Sequence, residues 1–120
     1  MMNREAVSMG PLRIEIDGDF WGPHAMTLPE RLPLGELASA RSVVLSLEKI
    51  RYMDQAGVAM LVRLYSQLRV RGSHLRLVDV PATAHELLER VGLAPLVCLD
   101  ETLDREPAHH TIALGARAEV

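Results

Sequence analysis

Aromatic side chains are nearly missing from this chain: one Phe, one Trp and two Tyr make up 3% of 120 residues. A core organised around stacked rings is thereby excluded. With apolar residues at 48%, the core must be aliphatic, built from Leu, Val, Ile, Ala and Met. Cysteine occurs once, at Cys98, so no internal disulfide framework exists. Within Pro95-Leu96-Val97-Cys98-Leu99 it reads as a small core hydrophobe rather than a redox group. No apolar run approaches the roughly 20 residues that a membrane span needs. The first residues, Met1 to Met9, lack the apolar core of a signal peptide. The expectation is a soluble, cytoplasmic domain without direct membrane insertion. A basic excess is also lacking. The net charge of −3 argues against nucleic acid as a partner. Lys49 is the sole lysine beside twelve arginines, a bias that reflects genome composition more than function.

Catalytic signatures are missing as well. There is no Gly-x-Gly-x-x-Gly, no phosphate loop and no nucleophile elbow. His24, His74, His85, His109 and His110 form no helical i, i+4 pair, and no acid–histidine spacing matches a zinc site. Neither an enzyme nor a cofactor is expected.

What is present is the pattern of one α/β domain. Residues 1–10 read as a loose, disordered leader. Leu12, Ile14 and Ile16 alternate with Arg13, Glu15 and Asp17, a half-buried strand. Asp17-Gly18-Asp19 predicts a turn, with Phe20-Trp21 opening a second strand paired back on the first. Gly22-Pro23 breaks the chain, and a short helix follows over 25–32, with Pro29 in its first turn. Residues 42–47 are apolar at consecutive positions, as in a strand covered on both faces. The best helix runs over 56–71. Val58, Leu61, Tyr65 and Leu68 recur at its three- and four-residue spacing, Met60, Val62 and Leu64 widen the stripe, and Gly72 stops it. Residues 74–80 are a further strand, ended by Pro81. Thr83 and Glu86 fit a capping box ahead of a helix with Leu87, Leu88 and Val91 on one stripe and Gly92 at its end. A last short strand is expected over 96–99 and a helical turn or two over 100–105. Residues 107–120 read as a mobile tail. Strands alternating with helices imply parallel pairs joined by right-handed crossovers, in one mixed sheet with helices packed on it.

Several segments together resemble one family. They are Val43-Val44-Leu45-Ser46-Leu47, then Tyr52-Met53-Asp54-Gln55-Ala56-Gly57, and the helix ending Arg69-Val70-Arg71-Gly72. The strand Leu75-Arg76-Leu77-Val78-Asp79-Val80 and the helix Leu87-Leu88-Glu89-Arg90-Val91-Gly92-Leu93 complete the set. From Val43 to Leu96 the chain resembles a STAS domain, named for sulphate transporters and anti-sigma factor antagonists. The resemblance implies the SpoIIAA-like fold over residues 11–106 and a non-enzymatic role that works by docking. In the antagonists of this family the serine just after the aspartate is phosphorylated, which ends binding to an anti-sigma factor kinase. Phosphate places nearly two negative charges at a helix N-terminus packed against a partner. Here Gln55 holds that position, and Ala56 offers no hydroxyl either. Asp-Gln-Ala-Gly instead resembles STAS domains of anion transporters. The segments 18–23 and 99–104 also resemble, respectively, the early aromatic turn of those domains and the acidic segment that opens their last helix.

The candidate partner-binding residues are Asp54, Gln55, Ala56, Gly57, Arg63, Gln67 and Arg71. Asp54 reads first as a helix N-cap, and Gly57 as a residue that allows close packing or the turn itself. Gln55 reads either as an interface amide or as an ordinary polar residue on a first turn. Arg63, Gln67 and Arg71 fall four apart beside Ser66. They form either a solvated face or a docking surface for an acidic partner, which Arg41 and Arg51 would extend. Phe20 and Trp21 are either contact residues or core. Three functions follow. The first is a regulatory module, antagonist-like but without the phosphorylatable serine. The second is a regulatory or assembly subunit of a membrane anion or phospholipid transport system. The third is a small-ligand or nucleotide sensor. The partner is accordingly an anti-sigma factor kinase or a membrane transporter.

Overall fold

The alternation at Leu12, Ile14 and Ile16 does produce a strand, but it does not turn at Gly18. In the computed structural model, which describes residues 11–97 and 110–115, β1 runs from Leu12 to Phe20. Gly18 lies at φ +120°, where the register shifts, and its N–H donates to the Lys49 carbonyl at 3.1 Å. The expected hairpin is therefore a β-bulge. Phe20 is fully buried as the last residue of the strand, while Trp21 is half-buried.

Three short helices follow in place of the single one expected over 25–32: α1 (Gly22–Met26), α2 (Leu28–Arg31) and α3 (Leu34–Ser39). Pro23 and Pro29 sit in first turns, where no amide is needed, and Pro33 separates α2 from α3. Then come β2 (Ser42–Ser46), β3 (Ile50–Met53), the long helix α4 (Gln55–Val70) and β4 (His74–Val78). After these come α5 (Ala82–Arg90), a 3-10 turn (Ala94–Leu96) and β5 (His110–Gly115).

Every strand pairing among the described residues is parallel, where a mixed sheet was expected. Residues 14 and 15 of β1 pair with both β2 and β5, and Gly18 pairs with both β3 and β5. A strand has two edges, so β2 and β3 share one edge of β1 and β5 takes the other. β4 lies outside β2. The registers place Leu12, Ile14 and Ile16 on the same face as Val43, Leu45, Leu75, Leu77, Ile112 and Leu114, all buried. The helices pack on that face, with Val58, Met60, Leu61, Leu64 and Leu68 of α4 buried against it. The opposite face carries Arg13, Glu15, Ser46, Arg76 and Thr111.

Two strands escaped the sequence reading. β3 has the burial order buried, exposed, exposed, buried, so it lacks a period of two. β5 lies in the stretch expected to be a mobile tail. Ile112 and Leu114 anchor it, Arg31 donates to the Ala113 carbonyl at 2.6 Å, and His110 meets Glu36 at 3.1 Å. The capping box does not form either. Pro81 occupies the N-cap, no side chain caps α5, and Val91 is 49% exposed, off the buried stripe of Ala84 and Leu88. Val97 makes a single parallel bridge to Leu77. The expectations for Cys98 and Leu99, for 100–105, for His109 and for the leader lie outside the described residues.

A Cβ at Gly18 would come within 2.6 Å of the Gly115 carbonyl oxygen, and its φ is one that side chains rarely adopt. Gly18→Ala is therefore expected to destabilise the fold by about 2 kcal/mol, read as a lower urea midpoint with unchanged slope.

Candidate functional site

The carboxyl ends of β1 and β3 lie side by side, Phe20 beside Met53. In α/β folds this end of the sheet is where loops meet ligands and partners. Met53 is buried and Asp54 follows in extended conformation, which turns its side chain back over the start of α4. Oδ1 of Asp54 accepts from the amides of Ala56 at 3.0 Å and Gly57 at 3.2 Å, the usual N-cap geometry. The amide of Gly22 also donates to this carboxylate, 3.3 Å from Oδ1 and 3.2 Å from Oδ2. One side chain thus closes the N-terminus of α4 and ties it to the segment leaving β1. Gly22 sits at φ +38°, with open space where a Cβ would be, so the backbone angle alone accounts for glycine there.

Gly57 is buried. A Cβ there would lie 2.5 Å from the Phe20 carbonyl oxygen and 2.8 Å from Cγ of Met53. The first turn of α4 therefore rests on the backbone of β1 itself. Trp21 and His24 border this junction, their rings meeting edge to face at 5.8 Å. The Gly22 and Phe20 contacts were beyond sequence reasoning: Gly22-Pro23 was visible as a break, but not its partner 32 residues on.

Gln55 is the first residue of α4. It is exposed, and it has no side-chain hydrogen bond among the described residues. Ala56 is half-buried behind it. Arg63, Gln67 and Arg71 are all exposed, in steps of four. They do not all lie beside Gln55. Each step of four residues turns about 40° on an α-helix and advances about 6 Å. Arg71 therefore stands about 24 Å along the axis from Gln55 and turned about 160° away. Gln55, Arg63, Gln67 and Arg71 form an inclined ridge with two ends rather than one patch, while Gly57 is buried beneath its start. Arg41 precedes β2 on the Arg71 side, whereas Arg51 lies on β3 and pairs with Asp19 at 3.5 Å, so the two arginines do not extend one surface.

Among the described residues no helix is long and apolar enough to cross a membrane, and no group of three His, Cys, Asp or Glu side chains is placed to hold a metal.

The family model described as Mlab, STAS domain matches residues 4–98. The chain belongs to this STAS-domain family. Solved structures of similar fold include the anti-sigma factor antagonist SpoIIAA in its unphosphorylated form, with a TM-score of 0.61 and 17% identity over 78% of this chain and 87% of that one. A sulfate transporter family protein from Wolinella succinogenes aligns with a TM-score of 0.57 and 19% identity over 72% and 75%. The Bacillus cell fate determinant SpoIIAA in its phosphorylated form gives 0.52 and 17% over 81% and 84%. At these identities the likeness is one of fold. No curated protein matches the chain.

Proposed function

We propose that this protein is a non-enzymatic docking module whose contact surface is the turn from Asp54 to Gly57, continued along α4 through Arg63, Gln67 and Arg71. The observation that carries the proposal is the state of Gln55. It is exposed, its side chain has no hydrogen bond among the described residues, and it is set on a helix start that Asp54 and Gly57 hold against β1. A preorganised surface gives up little entropy on binding. An amide at this position cannot take a phosphate, so the surface stays in one state, competent to bind by default. The anti-sigma factor antagonist fold makes a soluble kinase-like regulator one partner of this kind. A second reading, control or assembly of a membrane transport system, draws on the sulfate transporter family neighbour and on the Asp-Gln-Ala-Gly sequence.

Crosslinking the purified protein in a lysate of its own cells supplies the partner, and the Gln55→Glu variant then tests the surface. A carboxylate at the first position of α4 favours the helix dipole by about 0.3–1 kcal/mol, so the fold should be kept or slightly strengthened. Binding should nonetheless fall by about tenfold, because the new charge must be desolvated against the partner. Unchanged affinity in a folded variant would remove this turn from the interface.

A further inference from the structure

The three short helices leave something open. Pro29 and Pro33 keep α2 and α3 to four and six residues, too short to lay a continuous ridge against α4. Between them and the C-terminal half of α4 runs a groove of about 500 Å³, lined chiefly by Leu32, Leu34, Leu64 and Val70, with Gln67 and Arg71 on its rim. Leu34 is 63% exposed and Val70 88%. Arg71 also borders a second hollow of about 490 Å³, shared with Arg41, His74 and Ser39. Among the described residues no acidic side chain lines either one. The side chains of Arg41, Arg71 and His74 have no hydrogen-bonding or ionic partner among the described residues. Two unpaired arginines, Arg41 and Arg71, thus stand together on a chain with a net charge of −3.

We infer that this groove and hollow together bind an acidic segment of a partner protein, its leucine- or phenylalanine-class side chains in the groove and its Asp or Glu residues on Arg71 and Arg41. The occupant follows from charge complementarity. Apolar anchors alone would fill the groove, but the cations beyond it call for carboxylates. A lipid surface fits less well, since the apolar residues line a concavity and the molecule as a whole is anionic. The inference rests on the reading of α4 as a docking element. It gives the Arg71 end of that surface, at the far end of the helix from Gln55, its own partner chemistry.

The test is selection of peptides from a random display library on the immobilised full chain, followed by fluorescence anisotropy with the synthetic peptides. The selected sequences are expected to combine acidic and large apolar residues. Arg71→Glu and Leu34→Asp should each weaken their binding by about tenfold or more, while Arg90→Glu, on α5 and outside the groove, leaves it unchanged. Both test positions are exposed, and a thermal melt confirms that the variants fold. Selected peptides without acids, or binding indifferent to Arg71→Glu, overturn the inference. So does a failure to select any peptide, and if phosphatidylglycerol vesicles then bind in an Arg71-dependent way, the surface belongs to a membrane. A Gln55→Glu effect on the natural partner alongside any of these failures would leave the turn at Asp54 standing and discard only the groove. Success in the groove with no Gln55→Glu effect would do the reverse.

Discussion

Gly57→Ala is expected to destabilise the protein by about 3 kcal/mol, at the upper end of what one added methyl does in a packed interior. The cause is the kind of atom it meets. A methyl at 57 would stand 2.5 Å from the Phe20 carbonyl oxygen. Side chains can swing away from an intruder, but this oxygen belongs to the last residue of β1, beside Met53 of β3. Relief requires α4 to lift off the sheet, and α4 carries Val58, Leu61 and Leu64 into the core. For a domain of this size the loss corresponds to a fall in Tm of about 10–20 °C. A melt within a degree or two of wild type would mean that helix and strand are not in contact at this point.

Asp54→Ala should cost nearly as much, about 2–3 kcal/mol, more than the roughly 1 kcal/mol of an ordinary N-cap. The difference lies in the third donor. Besides capping Ala56 and Gly57, the carboxylate holds the amide of Gly22, and bonds to a charged group are worth more than neutral ones. Asp54→Asn keeps an acceptor oxygen toward the helix and should lose only about 1 kcal/mol. Urea denaturation of the three proteins measures the order. Amide exchange at Gly22 should rise in the alanine variant well before global unfolding. If Asp54→Ala costs no more than Asp54→Asn, the tie to Gly22 contributes nothing.

These two residues also show what could be read from the chain beforehand. α4 was legible because its signals are local: apolar residues at three- and four-residue spacing, Asp54 before them and Gly72 after. The close is a Schellman arrangement, with Gly72 at φ +82° and the Ser73 amide bonded to the Leu68 carbonyl at 2.9 Å. β2 and β4 were legible from apolar runs bounded by turn residues. The family resemblance, carried by the same segments, placed the fold correctly. What failed depended on partners far along the chain. Gly18 read as a turn because glycine after aspartate usually is one, and only its contact with Gly115 makes it a bulge. β5 is held by β1 and by Arg31, about 80 residues or more away in sequence, so its own six residues gave too weak a period. At the site, residues 54–57 were singled out by the family resemblance and Arg63, Gln67 and Arg71 by their spacing of four, but the turning of the helix separates Gln55 from Arg71. A step of four residues is close to one turn without being one, and the small excess accumulates along α4.

Docking of a partner along α4, from its N-terminal turn onward, is the core of the proposed function. Amide hydrogen exchange of the free protein and of its complex with the partner captured by crosslinking tests this most directly. New protection is expected to concentrate at residues 55–71, beginning at the turn held by Asp54, with the strands exchanging as before. Protection confined to the strands carrying Arg76 and Thr111, with α4 unaffected, would place the interface on the opposite face of the sheet and contradict it.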